Sequence, residues 1–282
     1  MKHWRIIIAV AGLGLLGMPA FGADAPHHTQ RASIPGPGTL NYVMGAVSCN
    51  GRMLPDNNVI TLPDDIVTHY KLRAGQELTT GAGKAEILLT PGIFLRVGSN
   101  SAVKMISPDP AKIQVELERG RASVAVDRAS LPNIVQIDDN GVTTQLMKTG
   151  YYEFNANHPE VMVFDGMAEV EVGAGKRQAV ADHQELALVA NGAPEMRVNF
   201  NSHPTNDALY NWSSQRSQSL AVANHQIAYG YDYVYMPTFK AGWKWDPWME
   251  EYTFQGRHYD VSQFGTAFDP GIGPYGLLEG YY

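Results

Sequence analysis

The sequence is 282 residues long, so it can hold one large domain or two smaller ones that each have a core. Only 17% of the residues are charged, and the 28 glycines and 17 prolines favour many short strands joined by tight turns. The formal net charge of −7, with no basic stripe, argues against a nucleic acid as partner, because few cations are present to displace its counterions.

The first 22 residues are predicted to be an export signal. Lys2 and Arg5 give a basic start, residues 6–16 are mostly apolar, and residues 20–22 provide a small-x-small cleavage site. The apolar run is short for a membrane span, which favours cleavage over an uncleaved anchor. Cleavage would remove two positive charges and leave 19 basic against 28 acidic residues, a net charge of −9. We therefore expect a protein of the periplasm or the cell surface, without a transmembrane span in the mature chain.

Residues 23–39 contain three prolines among small polar residues, which predicts a flexible leader. The one cysteine of the chain, Cys49, follows in a strand-like run. An exported protein with one cysteine cannot be held by internal disulfides, so its core must stabilise the fold. We interpret Cys49 as a small buried apolar residue.

Residues 40–200 show the alternating pattern of β-strands separated by turn residues. Ala85, Ile87 and Leu89, for example, share one face of a strand. Strand-like runs recur at short, regular intervals, and no helical period appears before residue 205. We predict an all-β fold, either a two-part β sandwich or a short β solenoid.

A short phrase occurs twice in this β region, as Gly-x-Ala-x-Val-x-Val at residues 120–126 and again at residues 166–172. Alternation places three side chains of each copy on one strand face: Ala122, Val124 and Val126, and Ala168, Val170 and Val172. The glycine stands where the chain must turn, because it alone adopts positive φ at no cost. The two copies favour one β unit used twice over a coincidence of valine-rich strands. We place the corresponding subdomains at about residues 40–128 and 129–200.

Residues 205–229 are predicted to form one amphipathic helix. Thr205 and Asn206 are good N-caps, and Asp207 would lie at the positive end of the helix dipole. One stripe of the helix carries Leu209, Trp212, Arg216, Leu220, Ala223 and Ile227. We expect its tryptophan and its central leucine to pack the helix onto the β domain.

Residues 230–282 form a Tyr/Trp/Gly-rich tail. Sixteen of the 28 aromatic residues fall within the last 54 residues, which makes the tail the place where a binding surface is expected. The candidate ligand-binding residues are Tyr231, Tyr233, Tyr235, Trp243, Trp245 and Trp248. Aromatic faces suit sugar rings. A tail that folds back on the domain edge and one that is partly disordered are the alternatives.

No motif in the sequence carries chemistry. Gly81-Ala-Gly83-Lys84 is too short for a phosphate-binding loop, and no Gly-x-Ser-x-Gly elbow is present. The histidines beyond the leader never pair at the spacing of metal ligands. We therefore predict a protein that is not an enzyme, with no catalytic residue, no cofactor and no metal site.

Residues 78–124 carry a family likeness. A Thr/Gly-rich start leads into an alternating strand, a turn and a second strand that ends near Asn100-Ser101, and Leu-Glu-Arg-Gly-Arg-Ala-Ser-Val follows at residues 117–124. This pattern resembles the periplasmic FecR domain. Residues 150–172 look like the following FecR subdomain, so the likeness covers about residues 40–190. The resemblance implies an all-β domain of the cell envelope without catalysis.

FecR-family members with an inner-membrane span relay a signal from an outer-membrane receptor to a cytoplasmic sigma factor. This chain departs from that layout, because no cytoplasmic N-terminal domain and no internal span are recognisable in it. Pro91-Gly92-Ile93 also replaces the usual Asp-Gly-Ser turn. The chain therefore looks like the free-standing exported FecR-domain proteins.

The leading functional hypothesis is a non-enzymatic cell-envelope protein that acts as a binding scaffold or sensor for an envelope protein or polymer. The second hypothesis is a protein that binds carbohydrate or peptidoglycan through the C-terminal aromatic residues. A cryptic hydrolase, whose groups converge only in space, is the third.

Overall fold

The computed structural model of the chain describes residues 31–32, 34–56, 59–62, 66–127, 134–173, 175–190, 197–200, 206–230, 242–246, 248–255 and 264. The predicted signal segment and three of the candidate tail residues, Tyr231, Tyr233 and Tyr235, lie outside the described residues.

Within those residues the chain forms one helix, α1 (Ala208–Gly230), and twenty strands. The strands are β1 (Arg31–Ala32), β2 (Thr39–Cys49), β3 (Arg52–Met53), β4 (Val59–Leu62), β5 (Ile66–His69), β6 (Glu77–Thr90), β7 (Ile93–Val97), β8 (Ala102–Asp109), β9 (Lys112–Arg119), β10 (Arg121–Val126), β11 (Ile134–Asp139), β12 (Val142–Leu146), β13 (Gly150–Asn155), β14 (Glu160–Asp165), β15 (Met167–Glu171), β16 (Arg177–Ala181), β17 (Gln184–Ala187), β18 (Val198–Asn199), β19 (Gly242–Asp246) and β20 (Glu251–Gln255). The predicted all-β class with a single helix is confirmed.

Fifteen of the strands form one large curled sheet. Its order is β16-β15-β12-β11-β9-β8-β6-β7-β10-β13-β14-β17-β18, and β2, which also pairs with β3, adds to it beside β6. The parallel pair β9–β11 and the antiparallel pair β10–β13 join the two predicted halves. One apolar core, from Leu40 to Leu188, is shared by both halves.

The sheet repeats one pairing scheme over β6–β10 and β11–β15. The hairpin β6–β7 corresponds to β11–β12, and the hairpin β8–β9 corresponds to β13–β14. In each set the fifth strand returns to pair with the second, β10 with β7 and β15 with β12. The two copies of the glycine-alanine-valine phrase form these fifth strands, which is the arrangement that one β unit used twice would produce.

The glycine of each copy is required by its backbone and by its neighbours. Gly120 has a φ of 76° and Gly166 a φ of 104°, a region that only glycine adopts easily. A Cβ on Gly120 would lie 2.6 Å from the Ser101 Cα, and one on Gly166 would lie 2.8 Å from the Thr149 carbonyl oxygen. Any side chain at either position would therefore displace the adjoining backbone.

The predicted inward rows are confirmed. The core contains Ala85, Ile87, Leu89, Ala122, Val124, Val126, Ala168 and Val170, and a half-buried Val172 packs against it. Cys49 at the end of β2 is half-buried against the same core, which is more exposed than predicted. Burial raises the pKa of its thiol.

In the middle of the sheet the outer face is buried as well. Phe94 and Arg96 in β7, Ser123 in β10 and Glu153 in β13 are all at most 1% exposed. These strands do not alternate between buried and exposed residues, because α1 and the β19–β20 hairpin cover their second face.

The helix begins three residues later than predicted, and its N-cap is Asp207 instead of Thr205 or Asn206. The Asp207 Oδ1 accepts the N–H groups of Leu209 at 2.8 Å and of Tyr210 at 3.0 Å. Aspartate caps as well as asparagine does. Because residues 205–207 can all cap a helix, the sequence did not define which of them is the N-cap.

The helix packs onto the β domain as predicted. Its buried residues include Leu209, Trp212, Arg216, Leu220 and Ala223 from the predicted stripe. The same face also buries the polar residues Ser213, Ser217 and Asn224 at 0% exposure. The contact with the sheet is therefore polar as well as apolar.

Candidate functional site

On the outer face of the sheet, the helix and the C-terminal hairpin pack against strands that lie far from them in the sequence. We call its apolar residues the outer-face cluster: Leu88, Phe94, Ala125, Tyr151, Phe164, Leu220, Tyr252 and Phe254. They come from five neighbouring strands of the sheet, from the helix and from the C-terminal hairpin. Edge-on ring pairs line the contact, such as Phe94 with Trp243 at 5.1 Å and Tyr151 with Tyr210 at 5.4 Å between centroids. Such pairs contribute about 0.5–1.5 kcal/mol each beyond the apolar area they bury.

Four charged side chains cross this contact, and we call them the Glu86 network: Glu86, Arg96, Arg216 and Glu251. The Glu86 carboxylate accepts a hydrogen bond from the Arg96 Nε at 2.8 Å through one oxygen and from the Arg216 Nη2 at 2.9 Å through the other. The same Arg216 nitrogen donates to the Glu251 Oε2 at 2.7 Å. The Arg96 Nη2 donates to the Ser217 hydroxyl at 3.0 Å. Sheet, helix and hairpin are thus tied together by two arginines and two glutamates.

The two carboxyl groups of the Glu86 network differ in their proton affinity. Burial opposes the ionisation of Glu86, but the charges of Arg216 and Arg96 outweigh it and hold the pKa at about 2. Burial raises the pKa of Glu251 to about 7, because Arg216 compensates it only in part. Glu86 is therefore fixed as an anion, whereas Glu251 changes its charge near neutral pH.

Asn41 forms hydrogen bonds with both the Glu86 network and the C-terminal hairpin. It lies at a register shift between β2 and β6, and such a bulge can re-aim a side chain. The Asn41 amide nitrogen donates to Glu86 Oε1 and to the Tyr252 carbonyl, both at 2.9 Å, and its oxygen accepts the Tyr252 N–H at 2.7 Å. The side chain thus acts as a strand partner for the hairpin.

A second polar group lies near the start of the helix. Arg121 forms ion pairs with Glu153 and with the capping Asp207. The Tyr151 hydroxyl donates to Glu153 at 2.6 Å. Burial raises the pKa of Glu153 to about 7, against the lowering effect of Arg121. The helix cap is therefore held on the sheet by a side chain from the first repeated phrase.

The structure separates the candidate tail residues. Trp243 and Trp245 are half-buried on β19, where Trp243 packs against Phe94 and Trp245 lies edge-on to His69 at 5.1 Å. Trp248, in the turn after β19, is 82% exposed. The three tyrosines lie outside the described residues, so the six-residue surface stays a prediction.

Across the described ranges, no three histidine, cysteine or acidic side chains are placed to share a metal ion. In the same ranges, no helix combines the length and the apolarity that crossing a membrane requires.

A family comparison identifies the class of the domain. Residues 76–176 match the family model described as FecR protein. The match begins where β6 begins and ends just before β16, so it contains both copies of the repeated unit. The chain therefore carries a FecR-like domain.

Two crystal structures of a "putative anti-sigma factor" from Parabacteroides distasonis ATCC 8503, at 2.50 and 1.65 Å resolution, are similar to the chain. Each is 14% identical in sequence, with a TM-score of 0.38. Each alignment covers 45% of this chain and 60% of the crystallised one, so the chain spans less than two thirds of those proteins. No curated protein matches the sequence.

The Glu86 network was not predicted from the sequence. Its signal was present, because Glu86 and Arg96 stand in the otherwise apolar runs 85–89 and 93–97, and the two residues are direct partners in the β6–β7 register. Their neighbours on the same outer rows, Leu88 and Phe94, are apolar. When a charged pair lies beside apolar residues on the outer face of two strands, the pattern indicates that another segment of the chain covers that face.

Proposed function

We propose that the protein is a non-enzymatic, exported protein of the cell envelope, in which the FecR-like domain acts as a binding scaffold or sensor for an envelope protein or polymer. The observation that carries the proposal is the FecR match over β6–β15, together with the C-terminal helix and hairpin closed onto the outer face of those strands.

The buried charges of the domain hold its segments together and do not form a catalytic site. Glu86, Glu153 and Glu251 are each paired with an arginine and lie in the contact between sheet, helix and hairpin. Groups arranged in this way hold segments together, whereas catalytic carboxyl groups converge on a cleft that a substrate can enter. The networks are therefore interpreted as structural.

Crosslinking in intact cells of the native host tests the proposal. We expect the tagged full chain to give a discrete adduct with an envelope protein or a cell-wall polymer. The matched control lacks residues 1–22 and is expected to give no such adduct, because it stays in the cytoplasm. An adduct with a cytoplasmic component, or an unmodified monomer under conditions that crosslink other envelope proteins, would overturn the proposal.

A second candidate function is binding of carbohydrate or peptidoglycan by Tyr231, Tyr233, Tyr235, Trp243, Trp245 and Trp248. The observation that favours it is the 82% exposure of Trp248, since an exposed large aromatic ring often serves recognition. Deleting the tail would also uncover the outer face, so the sharper probe is Trp248→Ala with Val222→Ala, also exposed at 54%, as the control. The candidate predicts weaker binding to isolated peptidoglycan for Trp248→Ala alone. Equal binding by both variants and the unchanged chain would refute it.

A further inference from the structure

The outer face of the sheet is covered on one half and open on the other. Under α1 and the C-terminal hairpin, β7 and β10 are buried on both of their faces. The strands β9, β12 and β15 instead alternate between buried and accessible residues, so no described segment covers their second face. We call the outer residues of β9, β11, β12 and β15 the open face.

The open face is acidic. It carries five carboxylates and one lysine, which are Glu116, Glu118, Asp138, Glu169, Glu171 and Lys112. Of these carboxylates, only Glu169 forms an ion pair within the described part of the chain, with Arg177 at 3.2 Å. Glu116 and Asp138 are direct partners in the β9–β11 register, and like charges on neighbouring strands repel each other.

Glu118 shows the same repulsion. Burial raises the pKa of Glu118, and the charges of Glu77 and Glu116 raise it further. Lys104 and Arg119 act in the opposite direction but do not cancel this effect. The free protein therefore holds like charges close together, and a cationic partner would relieve their repulsion.

Gln136 in β11 is a second, independent sign of a ligand. Val135 and Ile137 lie in the inner core, so alternation places Gln136 on the open face. The residue is only 9% exposed, yet its amide forms no hydrogen bond with any described residue, and neither amide atom is sealed from solvent. Its direct neighbours in register, Gln114 and Gln145, both form side-chain hydrogen bonds. An unpaired amide donor and acceptor in the middle of this face match the carbonyl and N–H of a peptide group.

The spacing of the carboxylates fits an extended chain. Glu116 and Glu118 stand two residues apart on β9, which separates their positions by about 7 Å. Alternate side chains of an extended peptide repeat at the same interval, so basic residues at alternate positions can pair with both. Because the sheet fixes this spacing before a partner arrives, little entropy is lost on the protein's side.

We propose that the open face binds an extended protein segment that carries lysine or arginine at alternate positions. The basic side chains pair with Glu116, Glu118 and Asp138, and a backbone peptide group pairs with the Gln136 amide. A metal ion or a polyamine would leave the amide N–H groups without an acceptor, which favours a peptide. This inference rests on the proposed function and deepens it, because it gives the surface and the chemistry of a protein partner.

Calorimetric titration of the purified full chain tests the inference. The probe is a capped peptide in which four lysines alternate with four threonines, and the control ligand is spermine, which carries the same charge without a peptide group. We expect the peptide to bind more tightly than spermine. The affinity should fall as the salt concentration rises, because ion pairs on an exposed face are screened.

Three variants separate the open face from the net charge of the protein. Glu116→Gln with Glu118→Gln should weaken the peptide roughly tenfold. Asp165→Asn with Glu185→Gln removes the same charge from β14 and β17, outside the open face, and should weaken it by less than about twofold. Gln136→Leu should weaken the peptide roughly fivefold and leave spermine unchanged. It should not lower the midpoint of urea unfolding, because the amide has no partner among the described residues.

Four results would overturn the inference. They are no peptide binding by the folded chain at millimolar concentration, equal losses in the two double variants, spermine binding as tightly as the peptide, and unchanged peptide affinity in Gln136→Leu. Any of them would leave the envelope adduct of the crosslinking experiment in place, because that adduct does not depend on this surface. Failure of the proposed function would instead remove the adduct, whatever the titration shows.

Discussion

Arg216→Met removes a side chain whose ion pairs join the helix to both the sheet and the hairpin. The arginine is 6% exposed, pairs with Glu86 and Glu251, and lies 4.3 Å above the Tyr42 ring. Methionine preserves much of the apolar stem and removes the charge. Breaking a buried ion pair from one side costs about 3–5 kcal/mol, since it leaves an uncompensated partner.

The lowered pKa of Glu86 gives a second estimate of this cost in stability. Its pKa of about 2, against an ordinary value of 4.5, corresponds to roughly 3 kcal/mol of stabilisation of the ionised form, at about 1.4 kcal/mol per unit. Arg216 provides the first of the two charge contributions, and Arg96 remains in the variant. Glu251 can take up a proton when Arg216 is gone, which limits its share of the loss. We therefore expect Arg216→Met to lower the free energy of unfolding at pH 7 by about 3 kcal/mol.

Urea denaturation of the full chain, followed by tryptophan fluorescence, measures this difference. The control is Arg177→Met, because Arg177 pairs with Glu169 at 3.2 Å on the surface, with the two side chains 50% and 30% exposed. Exposed pairs contribute at most about 1 kcal/mol. The Tyr252 N–H, which Asn41 accepts, should also exchange faster in Arg216→Met alone. The reasoning is refuted if both variants lose the same stability.

Three further predictions follow from the buried groups and turns. Glu251 binds its proton more tightly in the folded protein, with a pKa of about 7 against an ordinary value of 4.5. Its contribution to stability is therefore full below pH 4.5 and is lost as the pH rises to about 7. Glu251→Gln should flatten the dependence of the unfolding free energy on pH between pH 5 and about 8. Asp139, 1% exposed, has a pKa raised to about 7 by burial and by Glu160, so Asp139→Asn should raise the midpoint of urea unfolding at pH 8 and change it little at pH 5. Gly120→Ala should lower the free energy of unfolding by about 2 kcal/mol or more in the same assay, because the φ of Gly120 is 76° and a Cβ there would lie 2.7 Å from the Asn100 carbonyl oxygen. The control is Gly51→Ala, which should cost about 1 kcal/mol, because Gly51 has a similar φ of 75° but open space around it. A steeper pH profile in Glu251→Gln, a less stable Asp139→Asn at pH 8, or equal effects of the two glycine changes would contradict these expectations.

Local pattern was enough to predict the inner core. Alternation along single strands placed Ala85, Ile87 and Leu89 correctly, because the side-chain period of a strand depends on the backbone alone. The repeated phrase likewise predicted β10 and β15, since its glycines mark turns and its valines mark a buried face.

The outer face could not be predicted in the same way. What covers Glu86 and Arg96 lies more than 100 residues further along the chain, and no local period reports such a pairing. On the helix, Ser213, Ser217 and Asn224 have the chemistry of an exposed face, yet all three are buried. The two serines hydrogen-bond to Ser123 and Arg96 of the sheet. A polar contact of this kind is complementary in three dimensions, and the hydrophobic pattern of a sequence does not record it.

The location and mass of the protein in its native host test the central claim most directly. Cells are separated into cytoplasmic, periplasmic and membrane fractions, and the purified chain is measured by mass spectrometry. The account predicts a chain that begins after Gly22 and is recovered in the periplasm or at the cell surface. Recovery of a chain that retains residues 1–22 in the cytoplasm would contradict it.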